Sequence, residues 1–369
     1  MHTYYSMLGR LISGRTPIHK QGYYILCDND LIRFNTEVPP TIKTIRAEEI
    51  VDTLINGCKE IIQSFSHSPN NHDVYAFSLY FDEYKTVYVY MNTIQKLGKT
   101  LQNYTDSQNE DIVHSLEYNL GDFSFQYWSR HMGTFGHLLD QMEKFADHPT
   151  YERDEDPLHP NDRPIIAFEA GIIDSGYYAL ALEAVKRLHA EHAFNSLNKT
   201  ANFAAYVSTG NGYLDTSVVM RKTVPQEILY EMFPELKDQD KQYQEWADQF
   251  QHLSVSTALD RLHDTFMNDY YLGIPYSFNR SEIDVFLALE HFGNSLGDEC
   301  LERLQHLAMM ETLESEHFML IHCYIEALHF SGQLTQVQKK VCAQLSLTFQ
   351  AKNEDLWDAA RILLEISKA

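Results

Sequence analysis

Apolar positions along this chain recur at two periods that change over near residue 224. Before it, alternating β-branched and aromatic runs trade places with stretches of helical spacing; after it, every apolar series has helical spacing. Residues 22–27 (GYYILC) and 31–34 (LIRF) flank the turn-forming Asp28, Asn29 and Asp30 and predict a hairpin. From Arg46 to Phe65 the positions Ile50, Leu54, Ile55, Cys58, Ile61, Ile62 and Phe65 form one helical stripe. Glu48 and Glu49 fall in its first turn, where the helix dipole favours carboxylates. Residues 74–81 (VYAFSLYF) and 86–91 (TVYVYM), joined by residues 82–85, predict the clearest hairpin of the chain.

A helix is expected over about 132–145. The segment 148–162 that follows holds three prolines and five carboxylates, which predict an exposed loop with no regular element. A helix over about 179–192 leads to residues 202–208 and 213–220, which flank Gly210, Asn211 and Gly212 and predict a third hairpin. Pro225 suits the first turn of a helix over 226–233. Further helices are predicted over 241–253, 256–268, 281–292, 296–310, 316–330, 335–349 and 354–367. Thr335 with Gln338 has the spacing of an N-terminal capping box, and Ser281 with Asp284 has a similar cap-like spacing. The fold class expected is α+β, with a mostly antiparallel sheet covered by helices over residues 1–233 and an all-α domain over 234–369.

Charge departs further from ordinary globular values than composition does. The chain of 369 residues carries 52 Asp and Glu against 29 Lys and Arg, a formal −23. Residues 1–224 hold 28 acids and 19 bases, whereas the shorter 225–369 holds 24 acids and 10 bases. Such a surface repels nucleic acid and anionic membrane and attracts basic partners. Hydrophobic residues at 44% and aromatics at 12% supply ordinary core material. The five cysteines are far apart and form no CxxC, which suits reduced thiols in a cytoplasmic protein. No stretch of about 18 apolar residues occurs, so no membrane span is expected.

Residues 75–80 (YAFSLY), 87–93 (VYVYMNT) and 123–128 (FSFQYW), with a leading amphipathic helix and the closing helix-plus-hairpin from Ala181 to Met220, carry a family resemblance. Over about residues 45–233 the chain resembles an uncharacterised bacterial family, a domain of unknown function. The resemblance implies an α+β fold on an antiparallel sheet and an association with toxin–immunity loci, where some acidic neighbours are immunity proteins. It implies no catalytic residues.

The residues themselves offer few reaction centres. There is no phosphate loop, nucleophile elbow, metal-finger spacing or dinucleotide fingerprint. The loop with His148, Asp154, Glu155, Asp156, His159 and Asp162 has donors for a divalent ion, but its spacing is not that of an EF-hand. Glu314 with His317 and Glu326 with His329 have the Glu-x-x-His spacing of di-iron bundles, yet both fall on one predicted helix. His189 and His192 lack the order of a zincin. Ser129 has His131 two positions on, which does not establish a triad. Cys58 and Cys323 sit on predicted helix faces as small core residues. Phe123, Phe125 and Tyr127 alternate, so a strand would put them on one face, with packing against a helix as their expected use.

The reading is therefore a cytoplasmic, non-catalytic interaction protein, immunity- or antitoxin-like, that binds a basic protein partner through its acidic surface. The contact residues expected are Asp154, Glu155, Asp156 and Asp162, with Trp128 as an aromatic anchor. No cofactor, metal, nucleic acid or membrane enters this reading. The alternative is a hydrolase-type enzyme whose His and carboxylates are gathered by the fold.

Overall fold

The computed structural model describes residues 22–34, 38–82, 86–104, 113, 116–145, 148, 150–153, 158–159, 161–170, 172, 176–209, 220–268 and 282–368. It divides into two compact units that meet in sequence between Met232 and Phe233. The first is α+β and the second is helical.

In the first unit, β1 (Tyr23–Leu26) and β2 (Leu31–Phe34) form the expected hairpin. They join β3 (Thr44–Ile45), β7 (Thr150–Arg153) and β8 (Ile166–Glu169) in a five-stranded sheet of order β3-β8-β1-β2-β7. The second sheet has order β6-β5-β4-β9, from β4 (Val74–Phe81), β5 (Val87–Thr93), β6 (Phe125–Trp128) and β9 (Lys199–Thr209). Both sheets are mixed: β2–β7, β3–β8 and β4–β9 are parallel, and the other pairs are antiparallel.

Strand β7 corrects the expectation of an irregular 148–162 segment. Its backbone pairs in parallel with β2, Leu31 opposite Thr150 through Phe34 opposite Arg153. The prolines stand outside it at 149, 157 and 160, so none removes a ladder donor. The second strand expected of the third hairpin, with residues 210–212 at its tip, lies outside the described residues. The first is β9, whose described neighbour is β4.

Helix α1 (Ala47–Ser66) buries the predicted stripe completely, with Ile50, Leu54 and Cys58 at no exposure. Each large side chain of that stripe contributes roughly 1.5–3 kcal/mol of burial. Arg46 gives its first turn no side-chain cap; instead Glu169, at the end of β8, accepts a hydrogen bond from Ala47 N at 2.9 Å. Helix α4 (Gly176–Ala190) packs beside α1 and against β4 and β9; α2 (Ile94–Leu101) follows β5 and is capped by Thr93 Oγ1. The helix expected over 132–145 is broken: short 3-10 turns at 129–131 and 133–135, with Gly133 at φ +58°, precede α3 (Gly136–Glu143). A β-carbon on Gly136 would lie 1.9 Å from the Ser129 carbonyl oxygen, so this corner requires glycine.

The parallel β4–β9 pair is set by two asparagines that precede the strands. Asn198 N donates to Asn71 Oδ1 (2.9 Å), Asn198 Nδ2 to Asn71 O (2.7 Å), and Asn71 Nδ2 to Ser66 O (3.0 Å). Val74 N then donates to Asn198 O at 2.9 Å, which starts the ladder in register.

After α5 (Gln226–Met232), the second unit runs through α6 (Glu235–Phe250), α7 (Val255–Asn268), α8 (Glu282–Leu287), α9 (Asn294–Met309), α10 (Ser315–Leu328), α11 (Gln336–Lys352) and α12 (Trp357–Lys368). Helix α6 starts six residues before its predicted boundary because Pro234 opens it and Leu236 is fully buried. The core gathers Trp246, Phe250, Leu304, Ile325 and Phe349, with Phe286 stacked on Phe330 at 5.8 Å. Arg303 of α9 ties three helices, pairing with Asp260 (2.7 Å) and Glu299 (2.9 Å) and donating to Tyr324 Oη (3.2 Å) and Ser256 Oγ (2.8 Å). Thr335 and Gln338 form the predicted capping box on α11.

Candidate functional site: a tyrosine row on the four-stranded sheet

Strand β5 reads Val87, Tyr88, Val89, Tyr90, Met91, and its alternation separates two faces. Val87, Val89 and Met91 are buried on the side covered by α1 and α4; Phe125 meets Phe65 of α1 at 5.0 Å there, and Phe77 meets Phe194 at 5.0 Å. Tyr88 and Tyr90 point to the opposite face and are half-buried.

On that face the register lines up side chains strand by strand. Ser208, Tyr80, Tyr88 and Trp128 stand opposite one another across β9, β4, β5 and β6. The next row is Tyr206, Ser78, Tyr90 and Gln126. The three tyrosines pack on each other: Tyr80–Tyr88 at 5.9 Å, Tyr80–Tyr90 at 5.7 Å and Tyr88–Tyr90 at 6.0 Å between centroids. Such separations are those of favourable edge and tilted ring pairs. Gln126 Nε2 donates to Tyr90 Oη at 3.0 Å, and Ser78 Oγ beside it is buried without a hydrogen-bond partner. Burial first, then Tyr80 and Tyr88, then Asp82, raise the Tyr90 phenol above its ordinary range, so it stays neutral. Asp82 follows β4 directly and accepts from Thr86 N at 2.8 Å; with burial and Asp140 it also raises the Glu143 carboxyl.

Trp128 ends this row on β6, an edge of the sheet among the described residues. The Arg130 guanidinium lies 3.8 Å from the centre of its ring, and the His131 ring meets it at 4.7 Å. Trp128 N donates to His131 Nδ1 at 3.1 Å, so that imidazole serves the turn and not Ser129. Phe123 departs from the expected alternation. It precedes β6, and packs on Tyr75 (6.0 Å) and Tyr90 (6.4 Å), whereas Phe125 packs under α1 on the other side. Phe123 closes the 3-10 turn at residues 120–122, ahead of the strand whose alternation begins at Phe125.

Asp162 is engaged within the chain. Its Oδ2 meets Arg153 Nη1 at 3.1 Å and accepts from His159 N at 2.7 Å, which fastens the segment after β7 back onto that strand. Asp154, Glu155 and Asp156 lie outside the described residues. No group of three or more His, Cys, Asp or Glu placed to hold a metal ion occurs among the described residues. His189 packs against Phe194 at 5.0 Å, while His192, at φ +57°, is exposed, so the two imidazoles do not converge. His317 Nδ1 accepts from Glu314 N at 2.8 Å at the start of α10, a capping role. Cys58 and Cys323 are buried thiols, as their helix positions imply.

The tyrosine row is the feature that residue-by-residue motif reading passes over. Its signal is present as the Val-Tyr-Val-Tyr alternation, but its meaning depends on which strands stand beside β5. No helix among the described residues is long and apolar enough to cross a membrane. No curated protein and no solved structure matches the chain. Residues 54–222, which contain the tyrosine row, Trp128 and Asp162, match the model of a family described as a domain of unknown function (DUF4303).

Proposed function

We propose that this chain is a non-catalytic binding protein of the cytoplasm whose acidic surface takes a basic protein partner, an immunity-like role being its most concrete form. The observation that carries the reading is the charge: −23 overall, with 24 acids against 10 bases after residue 224. Two arginines of that half are drawn into its own ion pairs. Arg303 engages Asp260 and Glu299, and Arg361 engages Asp358 and Glu365. The excess carboxylates are left to solvent or to a partner. Charge of this kind raises the association rate and selects the partner's sign, while buried aromatics supply most of the affinity. The five buried free thiols suit a reducing compartment.

The test is affinity capture from the source cell's lysate at low and at high salt, with the tethered chain compared to a variant carrying Asp154→Lys, Glu155→Lys and Asp156→Lys. The reading expects a basic protein retained at low salt, released at high salt and held less by the variant. Retention of an acidic protein, or of nothing at either salt, contradicts it.

A further inference from the structure

We propose that the outward face of the last two helices, α11 and α12, is where a second copy of this chain docks, about a two-fold axis that sets the two helix pairs antiparallel. The inference goes beyond the basic-partner reading and does not rest on it. The two helices lie side by side in opposite senses: Ser346 Oγ donates to Ala360 O at 2.6 Å, and Trp357 Nε1 donates to Gln350 O at 3.3 Å. Their inner sides pack on α9 and α10. On the outer side, Trp357 and Leu364 stand two turns apart on α12, and Leu347 stands one turn before Gln350 on α11. These positions call for polar residues, yet Leu347 is 67%, Trp357 56% and Leu364 38% exposed, with Val337 at 72% where α11 begins. Four of the ten large apolar side chains exposed among the described residues thus fall on one helix pair. The outer face of a terminal helix pair is ordinarily polar, and an apolar one marks a contact surface.

Charge selects the occupant. Residues 225–335 hold 20 acids and 5 bases, whereas residues 336–368 hold 4 acids and 5 bases, so the acidity of the helical unit stops at this pair. A basic partner gains no attraction from these two helices, and a second copy meets little like-charge repulsion across them. The charges are also sorted by end. Lys340 near the start of α11 and Lys368 at the end of α12 are exposed at one end of the pair. Glu354 and Asp355 are exposed at the other, where α11 gives way to α12. Lys352 is turned to the end of α9, where it donates to Ala308 O and Met310 O, and Arg361 pairs with Asp358 and Glu365 of its own helix. A two-fold axis across the helices lays the basic end of each copy on the acidic end of the other, with the apolar face between them. A parallel pairing would set like charges together at both ends.

The test is sedimentation velocity of the full chain at about 0.15 M salt, where the field of the remaining surface is screened within about 8 Å. The mass is expected to rise from one chain to two across the micromolar range. Leu347→Glu, at a position already open to solvent, is expected to weaken the association about tenfold or more. Reversing the basic end (Lys340→Glu with Lys368→Glu) or the acidic end (Glu354→Lys with Asp355→Lys) is expected to weaken each variant's self-association about tenfold. Mixing the two variants restores opposite charges at both ends and is expected to return the affinity to within about threefold of wild type. A mass of one chain at every concentration overturns the inference and leaves the face to another protein. Association unmoved by Leu347→Glu, or by both charge reversals, also overturns it, because the copies would then meet elsewhere. Loss in both reversed variants without recovery on mixing rejects the antiparallel arrangement. Far-UV circular dichroism checks the fold of each variant.

Discussion

Cys58 lies on the inner face of α1 with no exposure, and burial pushes its thiol up to about 12 from an ordinary 9.0. Burial likewise raises Cys27 and Cys342 to about 11, with Asp162 adding to the effect at Cys27. In the unfolded chain these thiols lose their protons near pH 9, whereas the native chain holds them to higher pH. The stabilisation is therefore complete below about pH 9 and is lost as pH rises from there toward 12. Urea midpoints measured between about pH 8 and 11 should fall with pH, and Cys58→Ala should flatten that fall. Midpoints that stay level in the wild type would show that the thiols are not held protonated by the fold. His189 has the opposite sense: burial lowers its imidazole below 6.5, so its contribution is present near neutrality and lost as pH falls.

At the scale of elements, α1 depends on a residue remote from it in sequence. Glu169 supplies the acceptor that Arg46 does not, and it joins the end of β8 to the first turn of α1. Glu169→Ala should cost about 1–2 kcal/mol, the worth of a helix cap with a favourable charge–dipole term. Thermal or urea unfolding measures it, and a loss below about 0.3 kcal/mol would mean that solvent caps the helix equally well.

What was legible in the sequence was what local chemistry decides. The β1–β2 and β4–β5 hairpins follow from alternation flanking turn residues, α1 from its apolar stripe, and the α11 cap from Thr335 and Gln338. What was not legible depends on distant pairing. Strand β7 exists because β2 offers an edge, and β9 runs parallel to β4 because Asn71 and Asn198 clasp each other. The same holds for the site. Trp128 stood out as an aromatic anchor, but its companions Tyr80 and Tyr88 become a row only once the register across three strands is known.

For the whole molecule the governing quantity is the −23 charge. Internal ion pairs such as Arg187 with Glu48 and Asp52, and Arg303 with Asp260 and Glu299, consume bases and carboxylates together, so pairing leaves the imbalance in place. That imbalance is a long-range field, screened over about 10 Å at 0.1 M salt. Salt should therefore act directly on the charge-driven part of the affinity. The most direct measurement of the binding account is the affinity of the full chain for nona-arginine across a salt series. The account predicts that log affinity falls steadily as log salt rises, with nona-glutamate unbound throughout. An affinity independent of salt, or absent at the lowest salt, would contradict it.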